Sequence, residues 1–441
     1  MPHRIDRIEL FHVDVPLPTP FYPVWIRGYP QRRLRHTLLR ITTRDGHAGV
    51  ATGPAFEREG EGLGELIGPF LLGLDPFDYK GAADRLQQAS FLGWHNHWME
   101  IAFWDLAAQA QGVPLWRLLA NELGLPLARE APLAPVAYAS FAEARSIAAR
   151  AETLERARRA GFRAAKLGLA STSEESDHQV VRSAREAVGA DFELMVHTHQ
   201  GWRVSVMEAA PVWDLARASR FIAAAADLDY RWVQEPLSPR LWPDLVQLAR
   251  GAKTPVGGGC IATSAIELEA LLDWGAYQFL TPDAAFAGPS AMLHLMRRSR
   301  TLGRAFSPHS YGDGTSLLAN LHLLLAWSML DGVSGPIRLE LPWEPPAIIP
   351  EHRDALYREP LEVRADGTVA VPTRPGLGRD LDPVALRRYG RRFYTITPVR
   401  FVVSSARRSG LSQAAAFAQP ERVARRRRGS VPRGDVPAPK I

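Results

Sequence analysis

At 441 residues, with 46% hydrophobic and 23% charged residues, the chain has a globular composition and excludes disordered, collagenous and coiled-coil classes. One cysteine excludes a disulfide framework and any cysteine-rich zinc module. The net charge of +6 is uneven: residues 401–441 carry nine basic residues against Glu421 and Asp435, a net +7 that leaves about −1 for the first 400.

No apolar run reaches the ~18 residues of a membrane-spanning helix, and the opening MPHRIDRIEL lacks the apolar stretch of a secretory leader. A cytoplasmic protein is expected, with no membrane partner. Because the folded body is close to neutral, the basic run reads as a solvated tail, with no specific nucleic-acid partner.

Residues 6–15 (DRIELFHVDV) alternate like a strand. Residues 36–51 read as two strands joined at Asp45-Gly46, a hairpin signal. Helical patterns follow over 60–73 and 78–123, so residues 1–125 are expected to form an α+β unit. Beyond residue 126 the texture changes. The short apolar runs PVAYAS, FRAAKLGL, FELMVHT, RWVQEP, TPVGGGC, YQFLTPD, GRAFSPHS and IRLELP recur, most of them separated by helical stretches. Strands alternating with helices indicate a parallel sheet, and eight of them over some 210 residues suit a (β/α)₈ barrel across 126–358. No glycine-rich phosphate loop follows an early strand, which weighs against a doubly wound sheet.

In such a barrel, reactive residues stand at the C-terminal ends of the strands. Here the runs end in Lys166, His197, Glu235, Cys260, Asp283, His309 and Glu340. Residues 359–396 contain a hairpin around Asp366-Gly367 and a turn-rich stretch, expected to return to the N-terminal unit as part of a cap over the barrel mouth. The tail, 397–441, is expected to be disordered.

The ordered series MEIAFWDLAAQAQGVPLWRLLA, GFRAAKLGLA, RWVQEPL, TPD, AFAGPS, SPHS, SLLANLHLLLAW and VPTRPGLG resembles the enolase superfamily, in its mandelate racemase/muconate-lactonizing branch, over residues 4–390. The resemblance implies an α/β fold: a modified (β/α)7–8 TIM barrel with an α+β cap built from the N-terminal region and a C-terminal segment. It also implies abstraction of the proton α to a carboxylate, with a divalent metal stabilising the enediolate. A small-molecule carboxylate is then the expected substrate and a homo-oligomer the expected assembly.

By the same resemblance, His309 and Asp283 match the family's acid/base dyad. Glu340 matches a carboxyl group kept protonated to donate to the enediolate. Lys166 matches the first lysine of a Lys-x-Lys pair, whose second position is Gly168 here. His199, where many relatives have Asn, matches a histidine acting as acid or base in some acid-sugar dehydratases. Phe21, Tyr22, Trp25 and Arg27 look like a substrate-covering loop, though such an aromatic cluster also reads as packing.

The metal positions depart from the family pattern. His197 replaces an Asp, Glu235 is retained, and Cys260 replaces a Glu. Mg²⁺, the family ion, prefers oxygen donors. The set His197, Glu235 and Cys260 suits Zn²⁺ or marks a lost site without metal. The expected activity is a lyase that dehydrates a hydroxy acid or sugar acid. A racemase or epimerase, or a non-catalytic carboxylate-binding descendant, are the alternatives.

Overall fold

The N-terminal alternation builds a long antiparallel meander. In the computed structural model of the chain, which describes residues 4–55, 71–72, 74–75, 77–90, 96–169, 173–202 and 211–409, strands β1 (Ile5–Phe21), β2 (Gln31–Thr43) and β3 (Ala48–Gly53) pair in sequence. The Asp45-Gly46 turn lies between β2 and β3, with Gly46 at φ +93°, the left-handed conformation that favours glycine. Helices α1 (Tyr79–Ser90), α2 (Glu100–Ala110) and α3 (Leu115–Leu123) follow, so the single pattern over 78–123 is broken into pieces. Gly112 at φ +66° and Pro114 separate α2 from α3. The helical pattern at 60–73 falls largely outside the described residues. Strand β3 lies directly on α2: a Cβ at Gly49 would sit 2.0 Å from the Ala102 carbonyl oxygen.

Eight parallel strands form the second sheet: β4 (Val136–Phe141), β5 (Ala164–Gly168), β6 (Glu193–His197), β7 (Tyr230–Gln234), β8 (Val256–Gly258), β9 (Phe279–Leu280), β10 (Ala305–Phe306) and β11 (Arg338–Pro342). Their order, β10-β9-β8-β7-β6-β5-β4-β11, brings the last strand beside the first, as a curled barrel requires. Among the described residues, no ladder joins β10 to β11, so the seam lies there. This is the modified TIM barrel expected from the strand-helix alternation. Its helices include α4 (Ile147–Arg159), α5 (Glu174–Val188), α6 (Leu215–Asp227), α7 (Trp242–Gly251) and α8 (Ala265–Asp273). They continue with α9 (Ala284–Ala287), α10 (Pro289–Thr301) and α11 (Gly314–Ser328).

Tyr138, Ala164, Met195, Trp232 and Phe279 form a buried cluster inside the barrel. The small-residue run VGGGC has a packing cause: a Cβ at Gly257 would lie 2.3 Å from the Phe279 ring. Helix α11, SLLANLHLLLAW within it, is buried along its whole length and contacts both β3 and β11. Asp313 caps it, accepting from Thr315 N at 2.8 Å.

The C-terminal segment 359–396 returns to the cap as expected, through its last strand and not through its hairpin. The hairpin around Asp366-Gly367 is present, with Val363 opposite Val369, but it does not join the cap. Thr368 bridges Val136, and Ala137 N donates to Gly367 O at 2.9 Å, so the hairpin covers the strand-start end of β4, where backbone groups need partners. The cap is instead completed by β12 (Gly390–Ile396), antiparallel to β1 with Leu10 opposite Tyr394. The tail expected to be disordered from 397 begins with a helix, α12 (Pro398–Ser409). Thr397 Oγ1 accepts from Arg400 N at 3.3 Å at its start, and Phe401 packs partly buried against the core. Residues 410–441 lie outside the described residues. Among the described residues, no helix is long and apolar enough to cross a membrane.

Candidate active site

The strand ends bring Lys166, His197, His199, His309 and Glu340 around one cavity of about 180 Å³. Lys166 and Glu340 form a fully buried ion pair, Nζ to Oε1 at 2.7 Å. Lys166 also donates to Gln234 Oε1 at 3.0 Å. Glu340 accepts further bonds from Ser140 Oγ at 2.6 Å, Tyr138 OH at 3.2 Å and the Ser310 amide at 3.2 Å. Burial opposes its charge, but the Lys166 ammonium, His309 and the Ser140 hydroxyl prevail and hold the carboxyl at about 2. Glu340 is therefore a carboxylate, not the protonated donor expected from the resemblance, because a cation stands 2.7 Å away. Lys166, committed to Glu340 and Gln234, stands here as a donor rather than a free base.

Asp283 follows β9 and His309 follows β10, on neighbouring strands. His309 Nδ1 meets Asp283 Oδ2 at 3.3 Å, while Nε2 faces Glu340 Oε1 at 4.0 Å. A carboxylate on Nδ1 selects the tautomer with its proton there and leaves Nε2 as the basic atom. Asn320 from α11 fixes both partners: its Nδ2 donates to Asp283 Oδ1 at 2.8 Å and to the His309 carbonyl at 2.9 Å. The structure thus brings His309 and Asp283 together, with Asn320 bonded to both residues.

His197, Glu235 and Cys260 also converge, with one donor atom of each within 4.8 Å of the others. Glu235 Oε2 meets His197 Nε2 at 3.0 Å; Oε1 accepts from Gly259 N at 3.1 Å and from Cys260 Sγ at 3.3 Å. Burial raises the Glu235 carboxyl but these donors, His197 foremost, bring it to about 2. Burial, reinforced by Glu235, pushes the Cys260 thiol well up. Only one hard oxygen donor is offered, so the set does not fit Mg²⁺. Imidazole, carboxylate and sulfur fit a softer ion such as Zn²⁺, provided Cys260 loses its proton on binding.

His199 stacks on His197, ring centroids 3.7 Å apart. Burial, with His197 and Lys166 nearby, pushes its pKa well down, so the ring is neutral, and its Nδ1 is buried without a partner. His199 and Glu235 hold φ of +54° and +51°. Such backbone costs ~1–3 kcal/mol per residue and concentrates at functional sites. The Glu235 carbonyl is held by Thr198 Oγ1 at 2.6 Å and Gln200 N at 3.0 Å.

The cap supplies the cavity's aromatic wall. Trp25 packs on Tyr311 (5.2 Å), Trp202 (6.1 Å) and His199 (6.4 Å), and Phe21 packs behind it. Backbone bonds tie this loop to the end of β4, Val24 N to Ala142 O at 2.8 Å. Of the four cap residues expected at the site, Trp25 lines this cavity. Phe21 lines a neighbouring one, and Tyr22, 44% exposed, and Arg27 line neither. The absence of the second lysine also has a structural setting. A Cβ at Gly168 would lie 2.9 Å from both the Phe141 carbonyl oxygen and Val24 Cγ2, and 3.1 Å from His199 Cε1.

Sequence reasoning missed Gln234, Ser140, Tyr138, Asn320, Trp202, Phe286 and Tyr311. Gln234 and Ser140 carried a readable signal, being polar at the ends of strands. Asn320, a lone amide in an apolar helix, carried another.

The enolase C-terminal domain-like family matches residues 148–385. The chain is 28% identical over 405 residues to the D-galactarolactone cycloisomerase of Agrobacterium fabrum, covering 88% of this chain and 98% of that one. It is 27% identical over 398 residues to the L-talarate/galactarate dehydratase of Salmonella typhimurium, covering 87% and 90%. A crystal structure of the latter, liganded with magnesium and L-lyxarohydroxamate, superposes with a TM-score of 0.73 at 26% identity, over 89% of this chain and 94% of that one.

Proposed function

From the premise that this chain belongs to the enolase superfamily, in its mandelate racemase/muconate-lactonizing branch, we propose that it is a lyase removing water from a hydroxy acid or sugar acid after abstraction of the proton α to the carboxylate. The observation that supports this most is the His309–Asp283 dyad, which presents a basic Nε2 to a cavity that also holds Lys166 and two neutral histidine rings.

The substrate carboxylate is drawn to the Lys166 ammonium at the cavity floor. His309 Nε2 takes the α-proton, and Asp283 stabilises the imidazolium that forms. The electron pair left on the α-carbon moves onto the carboxylate, where Lys166 opposes the growing charge. The proton on His309 is then available to the departing β-hydroxyl, so the cycle closes without an external acid. His199, which lines the same cavity, donates or accepts one hydrogen bond through its unpartnered Nδ1. His197, Glu235 and Cys260 would hold a softer divalent ion, which when bound supplies Lewis-acid stabilisation to the carboxylate oxygens. A cytoplasmic location belongs to the same proposal, in keeping with a single buried, unpaired cysteine.

The test is solvent deuterium exchange at the α-carbon across a panel of hydroxy and sugar acids. Exchange by the wild type and its loss by at least ~10² in His309→Asn is expected for a positioned base. Dehydration lost together with exchange identifies the lyase. Exchange with inversion but no elimination, abolished by His199→Asn, would identify a racemase instead. Tight binding of an acid without exchange would leave only the carboxylate-binding descendant.

A further inference from the structure

Away from the cavities, the outside of the barrel carries an apolar surface that the packing leaves open. Trp242, which starts α7, and Trp274, which follows the last turn of α8, lie with ring centroids 4.5 Å apart, yet they are 43% and 47% exposed. Leu241, also exposed, precedes the first. Ile266, 79% exposed, stands with Ala270 and Trp274 at the i, i+4 and i+8 positions that share one face of a helix. Among the described residues no other tryptophan is exposed. Isolated exposed apolar side chains are ordinary, but a group gathered on two consecutive helices marks a surface that a partner covers. None of these four exposed residues lines either cavity of the cap and barrel mouth.

The charges around this face divide by helix. On the α7 side, Arg240, Arg250 and Lys253 stand against Asp244. On the α8 side are Glu267, Glu269 and Asp273. Arg298 of α10 reaches Asp273 at 2.7 Å and His294 reaches Glu269 at 2.9 Å, which leaves that side acidic. A two-fold axis lying in the contact, through the tryptophan pair, sets α7 of each copy against α8 of the other. It therefore lays a basic edge on an acidic edge twice. The chain's own basic segment beyond residue 409 would suit the acidic edge but be repelled by the other.

We propose that this face is a contact between two copies of the chain, anchored by the tryptophan pair of each. Tryptophan is enriched among the residues that dominate binding at interfaces. The exposed area sets the strength. At under half exposure each ring offers ~100 Å², or ~200 Å² for the pair, against the ~800 Å² per partner of a standard interface. The flanks of two helices only ~13–15 Å long supply part of the remainder. The contact is accordingly weak and reversible, with a dissociation constant in the micromolar range.

The test is sedimentation velocity of the full chain from about 1 to about 100 µM. The average mass is expected to rise with concentration towards twice that of the species at high dilution. Trp242→Ser combined with Trp274→Ser is expected to weaken the association at least ~10-fold. Arg240→Glu with Arg250→Glu makes both edges acidic, and Glu267→Lys with Asp273→Lys makes both basic. Each of these variants alone is expected to stay dissociated, and an equal mixture of the two to associate again, which a mere loss of folding in either would not allow. Circular dichroism verifies that all three variants fold. A mass for the tryptophan variant equal to that of the wild type at every concentration overturns the proposal. It does so whether the rings are open to iodide quenching, as on a bare face, or shielded, as under the chain's own basic segment. A mixture that stays dissociated where the wild type associates overturns the pairing of the edges.

Discussion

Lys166→Met probes the buried ion pair on which the cavity floor is built. Glu340 is fully buried, and its carboxyl lies at about 2 instead of 4.5. That lowering corresponds to a preference on the order of 3 kcal/mol for the ionised, folded form. The sign follows from the direction: the folded pKa is lowered, so the stabilisation is complete above pH ~4.5 and is lost as pH falls through ~2. Methionine keeps the volume of lysine but removes the charge, leaving Glu340 with burial against three neutral donors, Ser140, Tyr138 and the Ser310 amide. Breaking one side of a buried pair costs ~3–5 kcal/mol, in line with the pKa figure. At ~2.1 cal/mol/K per residue, the entropy of unfolding for a chain of 441 residues is about 0.9 kcal/mol/K, so the melting temperature should fall by ~3–5 °C at pH 7. Adding Glu340→Gln should return ~2 kcal/mol, since a neutral amide has no charge to leave unpaired. Guanidinium unfolding followed by circular dichroism at pH 7 and at pH 4 measures all three proteins, and the gap between wild type and Lys166→Met should narrow at the lower pH. A loss below ~1 kcal/mol at pH 7, or no recovery in the double variant, would refute the claim that this pair is a buried, mutually dependent unit.

Zn²⁺ should bind at His197, Glu235 and Cys260 with release of a proton from the raised Cys260 thiol, so its calorimetric affinity should rise with pH; micromolar Mg²⁺ binding by the wild type would sink the assignment. The double change His197→Asp with Cys260→Glu should shift the preference toward Mg²⁺. Gly168→Ala should cost ~1–3 kcal/mol and alter tryptophan fluorescence, because its methyl group presses on Val24 and His199 in the wall that carries Trp25; an unchanged spectrum and melting temperature would count against that packing. Asn320→Ala should slow deuterium exchange by at least ~10-fold with substrate Kd little changed, since Asn320 positions Asp283 and His309 without reaching the cavity; a change in Kd alone would make it a binding residue instead.

Most of the fold was legible because it is written in periodicity. The Asp45-Gly46 turn, the alternating DRIELFHVDV and the eight short apolar runs each depend on local backbone rules, and each became the element expected. What local rules could not supply was partnering across the chain. The Asp366-Gly367 hairpin was recognised, but nothing in its own residues says that its free edge meets Val136 at the strand-start end of the barrel. The helix at Pro398–Ser409 was hidden by the composition of the basic segment, although a threonine stands at its start and Phe401 packs against the core.

The site shows a sharper division. Strand-end position is a one-dimensional property, and it brought His309, Asp283, Lys166 and Glu340 into view together. Protonation state is a three-dimensional one. Whether Glu340 is an acid or a carboxylate depends on a lysine 174 positions away in the chain, at 2.7 Å, and no reading of IRLELP alone contains that distance. The same holds for Gly168. In the sequence it is an absence, a base that fails to appear. In the structure, the space beside it is taken by Val24 from the cap and by the His199 ring, which stacks on His197 and faces the same cavity. A lysine at 168 and a histidine at 199 would compete for one volume. The loss of one polar group at the second strand and the presence of another beyond the third are therefore coupled by packing. A Gly168→Lys change should fail to add a base unless His199 is first made smaller.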